Sequence, residues 1–260
     1  MGTDIFALTP QGWALACVCA ICVGMSKAGL PGLGTVAVPL MAMIFPPSLS
    51  TGILLPILIA GDAFGVIYFH RHANWRLLFR LMPAALAGII IGFFLVKRLM
   101  QYEDGGDEII RLGIGSLVLV LVLLSWLKER LHLAELSTLS PKWNLSIAIV
   151  FGVLAGITTQ IANAAGPIMV IYLLAMRLPK DSFIGTSAWY FCILNWCKAP
   201  FMLGLGSINT QSLIFNAKLI PVVLIGSLLG ILISSKMSNK NFEKWVLLLA
   251  AISSLKLLLS

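Results

Sequence analysis

Long, near-continuous apolar runs dominate the chain, interrupted at a few places by glycine, proline or charge. Runs near 50–69, 77–97, 109–127, 183–203, 213–235 and 243–259 approach or reach the roughly 17 to 25 residues a helix needs to cross a bilayer core. Two pairs of runs are shorter, 11–26 with 31–46 and 143–158 with 163–177, and each pair meets at a break. Such runs predict helices, because a helix satisfies all of its own backbone groups inside lipid.

The order of one short pair followed by three long runs occurs twice. Gly24 and Gly34 recur 132 positions later as Gly156 and Gly166. Pro83, Gly88 and Gly92 recur 138 positions later as Pro221, Gly226 and Gly230. The expected fold is therefore an all-α integral membrane protein built from two inverted-topology repeats. Each repeat is a short broken or re-entrant helical hairpin plus three transmembrane helices. The first repeat covers 1–127, a polar cytoplasmic connector covers 128–142, and the second repeat covers 143–260. A hairpin plus three crossings changes side, so the second half enters from the opposite face. Interruptions at matching places in two such halves point to the substrate site of a secondary transporter.

Composition agrees. Hydrophobic residues make up 59% of the 260 and charged residues 11%, with a mean hydropathy of +0.99. A soluble domain carries about 25% charged residues. The first residues contain Asp4 and no basic cluster, unlike a cleaved signal peptide. Phe6 stands where a myristoylation motif needs Ser or Thr. The net charge of +8 invites a nucleic-acid reading, but most Lys and Arg residues sit in the loops between apolar runs. Eleven, among them Arg71, Arg76, Lys128, Arg177, Lys180 and Lys236, fall on one predicted face against four on the other. By the positive-inside rule the richer face is cytoplasmic. The chain is then a multi-pass protein of a bacterial inner membrane with both termini periplasmic. His70 and His72 flank Arg71 at a membrane exit and read as a solvated cluster, while Lys256 snorkels near the chain end. The five cysteines all lie in apolar runs and read as small buried hydrophobes.

Few charges remain at membrane depth: Lys27, Asp62 and Lys198. A charge there is costly unless it faces a cavity or a partner. Thr51 matches Thr186 at an offset of 135, which carries Asp62 to Cys197, beside Lys198. Asp62 and Lys198 are accordingly expected to form an ion pair or to carry a coupling ion. At the first break, Lys27 is followed by Gly29, Pro31, Gly32 and Gly34, where glycines admit close backbone approach and proline suits a helix start. A helix beginning near Pro31 would point free amides and its positive end at the break. The second break offers Thr159, Gln160, Asn163 and Gly166, with Thr159 matching Lys27 and Asn163 matching Pro31. If the two tips meet at the midplane, one cationic and one amide-rich terminus share a pocket for an anion. Asn195 and Lys198, three apart, could face the same cavity, with Trp189, Tyr190 and Trp196 as candidate aromatic lining. The competing reading is that the small residues only allow close helix packing.

These stretches resemble the TauE/SafE family, the 4-toluene sulfonate uptake permease group. The resemblance rests on Gly24-Met25-Ser26-Lys27-Ala28-Gly29-Leu30-Pro31-Gly32-Leu33-Gly34 with Val38-Pro39-Leu40, on Ser50-Thr51-Gly52-Ile53-Leu54-Leu55-Pro56, and on Ala60-Gly61-Asp62. It implies transport of a small sulfur-containing anion, such as sulfite, thiosulfate or an organosulfonate like sulfoacetate, by alternating access. A passive anion channel could use the same cationic tips. No HExxH, GxSxG or P-loop pattern is present, so neither an intramembrane enzyme nor an ATP-driven pump is expected, and no cofactor or metal. Protons as a coupling ion and association as a homodimer stay open.

Overall fold

The computed structural model describes residues 6–31, 33–45, 47–99, 141–204, 206–238, 241–242, 244–245, 248 and 252. The span expected at 109–127, most of the connector at 128–142, most of the span at 243–259 and Gly32 lie outside them. Among the described residues all regular structure is helical. The helices are α1 (Pro10–Ala28), α2 (Gly34–Ala42), α3 (Pro47–Phe69), α4 (Trp75–Leu99), α5 (Pro141–Ala162), α6 (Gly166–Ala175), α7 (Lys180–Gly204) and α8 (Thr210–Ser235). A single 3-10 turn, His70–His72, joins α3 to α4.

Local chemistry sets several boundaries. Thr9 caps α1 by accepting from the Gly12 amide at 3.2 Å, with Pro10 opening the helix. Asn209 caps α8, accepting from the Ser212 amide at 2.9 Å while the Ser212 hydroxyl answers to the Asn209 amide at 2.9 Å. Replacing Asn209 by Ala should lower stability by about 1 kcal/mol, read as a lower thermal midpoint in detergent. An unchanged midpoint would show that packing alone fixes this helix start.

Among the described residues five helices, α1, α3, α4, α5 and α8, are long and apolar enough to cross a membrane. The two hairpins are less even than the sequence suggests. Their first arms, α1 and α5, have 19 and 22 residues, whereas the second arms, α2 and α6, have 9 and 10. At 1.5 Å per residue the second arms reach only about 15 Å, half of a hydrocarbon core. The run 31–46 was expected to be helical from Pro31. The helix begins at Gly34 instead, because Leu30 and Leu33 make turn bonds, Leu30 N–H to Met25 C=O at 2.8 Å and Leu33 N–H to Leu30 C=O at 3.3 Å.

Among the described residues two large apolar clusters form the core, beside a small one of Leu55, Met202 and Ile208, and the division between the two does not follow the chain. One cluster joins α1, α2 and α3 to α8 through residues such as Val23, Met41, Leu54 and Phe215. The other joins α5, α6 and α7 to α4 through Ala155, Ile168, Leu194 and Leu81. Each hairpin thus packs on a long helix from the opposite end of the sequence. Glycine makes these pairings close. A Cβ placed on Gly24 would lie 2.2 Å from the Val223 carbonyl oxygen, and one on Gly156 would lie 2.1 Å from that of Ala85. On the facing helices, a Cβ on Gly226 would lie 2.5 Å from the Ile21 carbonyl oxygen and one on Gly88 2.3 Å from that of Val153. Each position in the first contact is 132 or 138 residues from its counterpart in the second, so the two crossings use matching residues.

Candidate functional site

The two hairpin tips converge. α1 ends with Lys27 and Ala28, and α2 starts at Gly34. α5 ends at Ala162, Asn163 takes a left-handed backbone with φ of 50°, and α6 starts at Gly166. Asn is among the few side chains that tolerate that region. A cavity opens between the tips. Its wall includes Ser26, Lys27, Pro31 and Gly34 from the first tip and Thr159, Asn163 and Gly166 from the second. Leu58 of α3 and Ser187, Ala188, Phe191 and Asn195 of α7 close the sides. It offers about 30 Å³ for the centres of water-sized molecules, enough for two or three waters or one small anion. Both short helices therefore begin at the cavity, where the first-turn amides lack helical acceptors and the positive dipole ends lie.

The interior charges are arranged differently from the expected Asp62–Lys198 pair. Asp62 is fully buried and its ion pair is with Lys27, Nζ to Oδ1 at 2.8 Å. Its other oxygen accepts from Asn195 Nδ2 at 2.6 Å. The Lys27 ammonium also lies 4.2 Å from the centre of the Phe191 ring, so a carboxylate and an aromatic face share it. Lys198, also fully buried, donates to the Thr159 carbonyl oxygen at 2.6 Å and to Asn163 Oδ1. It thereby caps the C-terminal end of α5, where the helix dipole favours a cation. The physical reason for the exchange of partners is packing: α1 lies against α3, which puts Lys27 beside Asp62, while α7 turns Lys198 toward the second tip. Asn163 finishes the tip by donating Nδ2 to the Thr51 carbonyl oxygen of α3 at 3.1 Å. Asn163 is thus held from two sides, by α3 and by α7.

A family model, Sulfite exporter TauE/SafE, matches residues 16–257. The chain belongs to the TauE/SafE family. No curated protein and no solved structure matched it. Members of the TauE/SafE family are transporters rather than enzymes, and with five apolar helices of spanning length this member is a multi-pass membrane transport protein.

Of the residues singled out in this TauE/SafE sequence, Lys27, Pro31, Gly34, Thr159, Asn163, Gly166 and Asn195 meet at the cavity. Lys198 stands one side chain behind its wall. Gly29 and Gln160 face elsewhere. A Cβ on Gly29 would lie 2.0 Å from the Gly230 carbonyl oxygen, which makes it a packing glycine, and Gln160 lies against Gly92 of α4. The three candidate aromatics take packing and surface positions rather than lining the cavity: Tyr190 is fully buried, Trp189 packs on Trp75 and Trp196 is 62% exposed. Phe191 takes the position expected of them. Its spacing of four from Asn195 and seven from Lys198 puts the three on one helix face, a signal the sequence does carry.

Proposed function

We propose that this TauE/SafE protein is a secondary transporter carrying a small sulfur-containing anion across a bacterial inner membrane by alternating access. The observation that carries this reading is the cavity bounded by two helix starts, Gly34 and Gly166, with the Lys27 ammonium in its wall. Helix N-terminal amides and an ammonium together favour a compact oxyanion. Sulfite, thiosulfate or the head of a short organosulfonate such as sulfoacetate fits that chemistry. The space available disfavours an aromatic sulfonate in this conformation.

Counting the buried groups, Lys27 and Lys198 against Asp62 leave one positive charge beside the cavity, which an entering anion neutralises. The anion competes with Asp62 for Lys27, so occupancy alters the contact between α1 and α3. The matching glycine contacts support two inverted repeats, one per half of the chain. Rocking of the α1–α2–α3–α8 core against the α4–α5–α6–α7 core would then expose the tips to each side in turn. The basic residues of the 71–80 and 177–180 loops support a cytoplasmic position for that face and periplasmic termini.

Counterflow in vesicles containing the purified protein tests the reading. Radiolabelled thiosulfate outside should be drawn in faster by unlabelled thiosulfate or sulfite inside, and the flux should saturate. A flux that rises linearly with concentration and ignores the opposite face would instead identify a channel.

A further inference from the structure

Lys198 is an unusual buried cation. Its side chain has no exposure, and its hydrogen-bond acceptors are the backbone oxygen and, at 3.5 Å, the hydroxyl of Thr159, and the side-chain oxygen of Asn163. Among the described residues no carboxylate touches it. The one interior acid among the described residues, Asp62, is committed to Lys27 and Asn195. The charged groups that reach Lys198 through the interior are Asp62 from α3, which attracts it, and Lys27 from α1, which repels it. α5 and α6 bring no charged side chain to this depth, their only charged residue being Lys142 at the start of α5, and α6 offers only Tyr172 as a titratable group. α4 carries Arg76, Arg80, Lys97 and Arg98 toward its ends, and α7 itself adds Tyr190, Cys192 and Cys197. A buried ammonium held only by neutral oxygens gains much from any extra negative charge nearby.

That extra charge has a place to arrive. Thr159 and Asn163 both line the cavity and both hold Lys198, so an anion in the cavity sits one side chain from the ammonium. An anion and the Lys198 proton therefore favour each other's binding, and the preference is reciprocal. Lys27 and Asp62 stay neutral as a unit even while an anion shares the Lys27 ammonium, because Asp62 keeps its bond from Asn195, so that pair needs no proton to balance it. We infer that Lys198 carries the coupling proton of this transporter, bound when the cavity holds an anion and released when it empties, so that a proton travels with the anion. This rests on the anion-transport reading above. The proton passes between the amine nitrogen and water admitted to the cavity on whichever side is open, leaving a neutral amine in the return state. The neutral amine also loosens the Asn163 tip, because a weaker donor then holds the carbonyl end of α5, and the empty carrier is freed to reorient.

The experiment uses thiosulfate, the anion of a strong acid, so that any proton counted belongs to the protein. Calorimetric binding to the full-length protein in detergent is measured in buffers of different ionisation enthalpy, which counts protons taken up per anion bound. Wild type should take up close to one proton per thiosulfate near neutral pH, and vesicles should accumulate thiosulfate several-fold more under an inward acid gradient. Asp62→Asn, which also unpairs Lys27, should change the affinity yet keep the proton count per thiosulfate bound. Lys198→Met should bind thiosulfate more weakly and with no proton taken up, and its transport should no longer respond to the gradient. Proton uptake retained in Lys198→Met, or lost in Asp62→Asn, overturns the assignment. If Lys198→Met does not fold, Lys198→Arg takes its place, a side chain that stays charged and should bind thiosulfate without proton uptake. Wild-type binding without proton uptake rejects the lysine but leaves the anion site standing. Absence of binding and exchange with thiosulfate, sulfite and sulfoacetate rejects both.

Discussion

Replacing Lys27 by Met should abolish anion transport and also destabilise the protein, and the two effects should separate in a double variant. Removing the ammonium strands the fully buried Asp62 carboxylate, at a cost of about 3 to 5 kcal/mol. It also removes the cation from the cavity wall. Truncating one member of a buried charge contact costs roughly 2 to 5 kcal/mol of binding, about thirtyfold to a few thousandfold in affinity. In Lys27→Met with Asp62→Asn the stranded charge is gone, so the thermal midpoint should return toward wild type while thiosulfate counterflow stays absent. Transport at the wild-type rate by that double variant would remove Lys27 from the site and reduce the pair to a packing device.

The second large effect concerns the paired crossings. Gly24→Ala should be severely destabilising, because the added Cβ would meet the Val223 carbonyl oxygen at 2.2 Å and the Ser227 amide nitrogen at 2.6 Å, both backbone atoms. A side chain can rotate away; a helix backbone must move bodily. Overpacking of ordinary cores costs about 1 to 3 kcal/mol, and a backbone clash of this kind belongs at or above the upper end. Gly156→Ala, with the Ala85 carbonyl oxygen at 2.1 Å, should behave alike, and the two together should give no folded protein. Gly204→Ala is the control, since nothing lies within 4 Å of its Cβ position, and it should change the midpoint little. Thermal unfolding in detergent reads all four. Equal midpoints for Gly24→Ala and Gly204→Ala would mean that α1 and α8 are not packed as described.

Much of this arrangement was legible in the sequence because glycine and proline act locally. The breaks at Gly24–Gly34 and Gly156–Gly166 mark helix ends whatever surrounds them, and Pro83-Gly88-Gly92 marks a close-packing face wherever it docks. The convergence of Lys27, Pro31 and Gly34 with Thr159, Asn163 and Gly166 follows from matching the tips. The identity of Asp62's partner did not follow. Matching positions in two repeats occupy like environments, but that does not make them neighbours, and the inference from Cys197 to Lys198 confused the two. The partner was set by how α1 lies on α3, a packing result with no local signature. Gln160 failed for a similar reason: one helical step from Thr159 turns a side chain by about 100°, away from the cavity and toward Gly92. Ser187 and Ala188 carried no signal, being small residues in a helix full of them.

The exchange of helices between the two cores has a consequence for biosynthesis. α1 leaves the ribosome long before α8, yet the backbone groove that receives Gly24 belongs to α8, at Val223 to Ser227. Throughout most of translation the N-terminal helix must wait in the bilayer with its small-residue face unmatched. α5, by contrast, finds α4 already inserted. The second core can therefore close while the chain is still being made, and the first only after α8 has been made. A nascent chain stalled before residue 210 would carry most of one core, lacking Phe242, and an open seam on the other.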